Sequence, residues 1–172
     1  KLNYDFDGFT KDFCKDSTKE CLGLIDKATS FNLVAMSGVG ITFFAQYLET
    51  KSKDTFVFIN TYEMPEFSKD NFYEQLYTKL GGELKTGAEP KIEEIKCLLD
   101  LKVRSSKHKL VLVINRLDRL DKILDQNFFD ILRFFKDVDR SKIVMIFVSS
   151  RPIVDQYSTK IKDLFNLASK TV

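Results

Sequence analysis

The chain has 172 residues, is 44% hydrophobic and carries a formal net charge of +2. That length and apolar content suit one domain with a full-sized core. So small a net charge excludes any bulk electrostatic argument for nucleic acid. No apolar run approaches the length of a membrane span, and no signal-peptide pattern opens the chain, so no membrane partner is expected. Cys14, Cys21 and Cys97 are scattered without a CxxC spacing, and His108 stands alone. Neither a zinc site nor a disulfide framework is expected, which points to a reducing, intracellular compartment, cytoplasmic or nuclear. The chain lacks an initial Met and stops just after a helical pattern. The expectation is a single domain over 1–172, core 17–168, cut from a longer protein.

Taken in chain order, Ser17-Thr18-Lys19-Glu20 reads as a capping box opening a helix through Cys21, Leu24, Ile25 and Ala28. The run 31–36 is the first of four short apolar runs; the others are 55–60, 109–115 and 142–149. Continuous runs rich in β-branched and aromatic residues suit strands buried on both faces, as in parallel sheets. Between them, residues 42–50 suit a helix. Ser68 precedes a helix with Phe72, Leu76 and Leu80 on one stripe, ended by Gly81-Gly82. Pro90 suits the first turn of a helix carrying Ile92, Ile95, Leu99 and Val103. Leu124, Phe128, Ile131, Leu132 and Phe135 mark a further helix, and Tyr157, Ile161, Leu164 and Phe165 a last one after Pro152. Strand and helix alternate throughout, which predicts an α/β domain with a parallel sheet and right-handed crossovers.

Three strand ends carry chemistry. After the first run comes Ala35-Met36-Ser37-Gly38-Val39-Gly40-Ile41-Thr42. A phosphate-binding loop reads GxxxxGKS or GxxxxGKT: glycines let backbone N–H groups curl around phosphates, Lys neutralises them, and the hydroxyl helps to hold magnesium. Gly38, Gly40 and Thr42 match; Ala35 replaces the first Gly and Ile41 the Lys. The candidate nucleotide-contacting residues here are Ser37, Gly38, Val39, Gly40, Ile41 and Thr42, with Thr42 the one magnesium candidate. A two-glycine turn joining a strand to a helix explains the octet equally well.

The run LVLVINRLDRL (110–120) stands where nucleotide hydrolases of this kind carry two acids after an apolar strand, one for magnesium and one for the attacking water. Asn115 and Arg116 occupy those places. Asn115 can still accept a hydrogen bond from a metal-bound water but brings no charge. Arg116 stays protonated and cannot serve as a base. Asp118 lies further on, where it suits pairing with Arg116, Arg119 or a backbone group. The run KIVMIFVSSRP (142–152) brings Arg151 to the carboxyl edge of the sheet, where ligands sit in parallel sheets and where a cation can face a γ-phosphate. A surface Arg beside a helix-starting Pro is an equal reading. Asn60, ending FVFIN, reads as a turn former.

In order and spacing these strand ends resemble the additional-strand P-loop NTPases, in particular the AAA+ ATPases of the origin-recognition and initiator type and the related STAND ATPases. The stretch FVFINTYEMPEFSKDNFYEQLYTKLGG is similar to the initiator-type segment. VLVINRLDRL is similar to that family's acidic strand end, with Asp118 and Leu120 retained and both leading acids replaced; FVSSRP is similar to the STAND sensor segment. The resemblance implies a three-layer αβα sandwich with strand order 5-1-4-3-2, ATP or ADP with magnesium at the carboxyl edge, and a helical lid beyond the last residue. It also implies partners in a multi-subunit assembly, and DNA by family analogy.

The departures turn that implication towards a different function. Each charge-assisted hydrogen bond to phosphate that these replacements forgo is worth on the order of 1.5–3 kcal/mol, and without the acids no residue prepares water for attack. The reading is a degenerate, non-hydrolysing ATPase-fold domain that serves as an assembly or regulatory module. Two alternatives stand beside it: an ATP-binding switch that lacks the usual lysine, and an unrelated α/β domain with a chance glycine turn. Charges of both signs are interspersed, so no phosphate-tracking stripe is visible.

Overall fold

A computed structural model describes residues 14–35, 40–64, 68–84, 90–116, 125–150 and 170–172. The elements in chain order are α1 (Lys15–Asp26), β1 (Phe31–Val34), α2 (Ile41–Lys51), β2 (Thr55–Asn60), a 3-10 turn (Thr61–Glu63), α3 (Lys69–Lys79), α4 (Ile92–Ser105), β3 (Leu110–Asn115), α5 (Gln126–Lys136), β4 (Ile143–Ser149) and β5 (Lys170–Thr171). The sheet runs β5-β1-β4-β3-β2 with every pairing parallel, the order that the resemblance implies.

Alternation along the strands builds the layers, because successive side chains leave a strand on opposite faces. Phe56, Val111, Val113, Val144, Ile146 and Val148 join Phe31 and Leu33 in one cluster, covered by Cys21 and Ile25 of α1 and Phe44, Ala45 and Leu48 of α2. Val57, Ile59, Leu112, Ile114, Met145 and Phe147 form the opposite cluster, under α3, α4 and α5. The result is the three-layer αβα sandwich. β3 and β4 are buried along their whole length, as their unbroken apolar runs require.

Local signals explain most element ends. The Ser68 hydroxyl accepts from Asn71 N at 3.1 Å and opens α3. Gly81 then takes a left-handed φ of 101° while Gly82 N returns to Tyr77 O at 3.0 Å, closing α3 as the paired glycines lead one to expect. Three expectations are corrected. The Ser17 capping box does not open α1: the helix begins at Lys15, and its N-cap Cys14 makes no side-chain cap bond. Ser17 and Glu20 are inside a helix whose register is set by burial of Cys21 and Ile25. Pro90 precedes α4 rather than entering it. Lys91 is the N-cap, and the Glu94 carboxylate accepts from Lys91 N at 3.1 Å. Lys109 and Lys142 lie just outside the strands assigned to them, in loops entering β3 and β4. β5 was not legible as an apolar run; it forms because Val34 N donates to Val172 O and Val172 N to Asn32 O, both at 2.9 Å. The last expected helix, 152–165, lies outside the described residues.

One cation fastens the amino edge. Lys136, ending α5, donates to Ile143 O (2.8 Å), Ser30 Oγ (3.1 Å) and Ala28 O (3.2 Å). Burial pushes its ammonium below the usual lysine range.

Candidate functional site

The carboxyl edge is where β1 hands over to α2. Gly40 is the N-cap of α2 with φ 78° and ψ 29°, a left-handed conformation that glycine adopts without steric cost. Its carbonyl accepts from Phe44 N at 2.9 Å, and glycine itself offers no side chain to cap the helix. The opening N–H groups of α2 therefore emerge at the end of an internal strand, the geometry that phosphate loops use.

The side chains are unlike that geometry's usual chemistry. Ile41 packs against the cluster of Phe31, Phe44 and Leu48. Its role is to extend the core at the entry to α2. Thr42 and Asn115, 73 residues apart in sequence, come together: Asn115 Nδ2 donates to Thr42 Oγ1 at 3.1 Å, and Oδ1 lies 3.4 Å from the same hydroxyl. Asn115 is only 4% exposed. A carboxylate at this place would present acceptors alone, with a negative charge suited to a metal ion. The amide carries both donor and acceptor, so the pair satisfies itself without an ion. Arg116 leaves β3 with φ 58°, a left-handed turn that costs a non-glycine residue on the order of 1 kcal/mol.

Asn60 pairs in register with Asn115 on the next strand. Its side chain donates to Glu63 Oε1 at 3.2 Å, in agreement with a turn-forming role. Gln75 of α3 clamps its backbone, accepting from Asn60 N at 2.7 Å and donating to Asn60 O at 3.2 Å. Gln75 had no local signal, because its partner lies 15 residues earlier on another element. Ser149, ending β4, is buried, and its carbonyl accepts from Ala35 N at 3.3 Å, which holds the two strand ends together. Ser37, Gly38 and Val39 of the loop, together with Asp118 and Arg151, lie outside the described residues.

Among the described residues no group of three His, Cys, Asp or Glu side chains could hold a metal ion. Of the described candidates, Ile41 brings an apolar side chain packed against the core and Asn115 a neutral amide, so neither supplies a charge for phosphate or for magnesium. The described cysteines are all free, and no described helix is long and apolar enough to cross a membrane.

A parallel sheet of this order, helices on both faces and a glycine-opened helix after the second strand from the edge define a P-loop NTPase-like fold. No protein-family model and no curated protein matches the chain. Solved structures of AAA+ proteins of the ORC1/Cdc6 kind do match it. The ORC1 protein of Aeropyrum pernix, in complex with DNA, superposes with a TM-score of 0.67 at 11% identity, over 92% of this chain and 44% of that one. Cdc6p from Pyrobaculum aerophilum gives 0.57 at 13% identity, over 91% and 45%. A chain of Drosophila ORC bound to DNA gives 0.65 at 16% identity, over 97% and 43%. The chain thus spans less than half the length of each of these neighbours, and at such identities the likeness is one of fold.

Proposed function

We propose that this domain is a non-hydrolysing member of the AAA+ fold, working as an assembly or regulatory module in a larger, DNA-associated complex. The observation that carries this reading is the closed Thr42–Asn115 pair beside the core-packed Ile41. Together they put neutral side chains where a cation and an anion would stand, and Asn115 finds its partner in the Thr42 hydroxyl. The initiator-like neighbours, two of them seen with DNA, support protein and DNA partners for the intact protein.

Melting the domain with and without magnesium–ATP tests this. The native domain is expected to show no shift at millimolar nucleotide and no phosphate release. The paired variant Ile41→Lys with Asn115→Asp restores one charge for phosphate and one for metal, and is expected to gain a shift. A ligand at 100 times its Kd stabilises by about 2.7 kcal/mol. Phosphate release by the native domain would sink the proposal.

A second reading has one observation of its own. Gly40 keeps the left-handed conformation at the N-cap of α2, and having no side chain it leaves the helix entrance sterically open. An ATP-binding switch without the lysine would use the first N–H groups of α2 and Thr42. It predicts that the native domain is stabilised by magnesium–ATP without turnover and that Gly40→Val abolishes the effect.

A further inference from the structure

Opposite the candidate nucleotide edge, the loops entering β2 and β3 form a cleft of about 450 Å³, closed on one side by Leu22 and Asp26 of α1. Two short basic stretches, Lys51-Ser52-Lys53 and Lys107-His108-Lys109, far apart in sequence, line it together. The sheet brings them side by side: Thr55 and Leu110 are register partners, and Thr55 N donates to Lys109 O at 2.9 Å.

The loops are built, not merely adjacent. Asp54 turns its carboxylate inward, accepting from Lys109 N at 2.9 Å through one oxygen and from Ser52 Oγ at 3.0 Å through the other. Both of its oxygens are thereby engaged in holding the loops, while its charge offsets one lysine of the lining. Among the described residues of the lining Asp26 is the only other acid, against four lysines. Among the described residues, the ammonium groups of Lys53, Lys107 and Lys109 make no ion pair. Lys51 lies over the Tyr47 ring at 5.1 Å.

The ordinary explanation for cations here is that helix carbonyl ends point at this edge and attract positive charge. Those ends are already served. Lys142 Nζ donates to Val103 O at 3.2 Å and Ser106 O at 3.1 Å, at the end of α4, and Lys136 donates to Ala28 O beyond α1. Backbone turns close α1 and α2: Thr29 N reaches Leu24 O at 2.9 Å, and Ser52 N reaches Glu49 O at 3.3 Å. Lys51 stands in the last turn of α2, but with Lys53, Lys107 and Lys109 around the same concavity the described lysines of the lining still outnumber its two aspartates.

We infer that this amino-edge cleft is a second anion site, for a compact polyphosphate: a small molecule with several clustered phosphate groups. The volume falls within the range of small-ligand sites. Lysines suit phosphates as point charges that do not demand one orientation. α1 limits the cleft, so it fits a small ligand better than a continuous backbone. The site lies across the sheet from Thr42 and Asn115 and is independent of whether that edge binds nucleotide.

The test is calorimetric titration of the 172-residue domain with inorganic tripolyphosphate at low and physiological salt, with parallel acylation footprinting of the lysines. Binding that weakens with salt is expected, with Lys53 and Lys107 protected from acylation. The double variant Lys53→Ala with Lys107→Ala should weaken binding at least about tenfold. Both side chains are exposed, so the variant should fold, which circular dichroism verifies. Absence of binding at millimolar tripolyphosphate in low salt overturns the inference. So does affinity that survives the double variant, since the anion then sits elsewhere, the α2 edge included. A duplex DNA oligonucleotide that binds through these lysines where tripolyphosphate does not would make the face a nucleic-acid surface and overturn it as well. None of these outcomes depends on the magnesium–ATP melting result.

Discussion

Asn115 differs from an aspartate by one functional group, and Ile41 is an apolar residue where phosphate loops carry a cation. Lysine at 41 would carry a charge, whereas Ile41 packs an apolar side chain against the cluster under α1 and α2. Aspartate at 115 would face the Thr42 hydroxyl with acceptors only, whereas the amide donates to it at 3.1 Å. Both residues were visible in the sequence; that the Asn115 amide meets the Thr42 hydroxyl in space was not. Asp125 shows the same limit. Nothing in its neighbourhood marked it, yet it caps α5 by accepting from Phe128 N at 2.8 Å and binds Lys69 of α3 at 2.6 Å. The Lys69 hydrogen bond holds its carboxyl below the usual range. A folded-state value below the unfolded one makes its contribution complete at neutral pH and lost as pH falls through the carboxylate range. Asp125→Ala should therefore cost about 1 kcal/mol at pH 7. That difference should fade in acid, once the pH falls below the usual carboxylate range; urea titrations at neutral and at acid pH measure both quantities. The exposed Lys69 pair adds little to this figure because solvent screens it.

At the scale of elements, ends marked by backbone chemistry were legible and ends set by packing were not. Ser68 and the Gly81-Gly82 pair bound α3 as expected, since a hydroxyl at the N-cap and a left-handed glycine at the exit act locally. The Ser17–Glu20 signature has the same letters as a true capping box. There the burial of Cys21 and Ile25 against the sheet decided where α1 begins. Gly81→Ala places a Cβ at φ 101°. It should destabilise the domain by about 1–2 kcal/mol. Chemical denaturation reads this, with Gly23→Ala as the contrast: Gly23 lies within α1, where alanine is the better helix former, and its added Cβ meets nothing within 4 Å.

For the whole molecule, two apolar clusters on opposite sides of one sheet hold the sandwich together. Phe147, fully buried in β4, belongs to the cluster under α3, α4 and α5. Phe147→Ala should cost about 3–5 kcal/mol by leaving a cavity that stiff neighbouring strands cannot close. A fall in the thermal midpoint measures it, with loss of folding as the extreme of the same direction. Val148→Ala, on the opposite face, removes less volume and should cost less.

From its residues alone, this protein was committed to an α/β sandwich. Apolar runs, caps and helix stripes act over a few residues, so their meaning survives without a structure. The same holds for the missing lysine and acids, which are absent whatever the fold. Tertiary structure decided what lies between distant segments: a hydroxyl and an amide that satisfy each other across 73 residues, a short β5 that makes β1 internal, and two lysine-bearing loops joined into one cleft. Hydrogen bonds and charge clusters of that kind depend on positions in space. Linear order carries no record of those positions until the sheet has set its register.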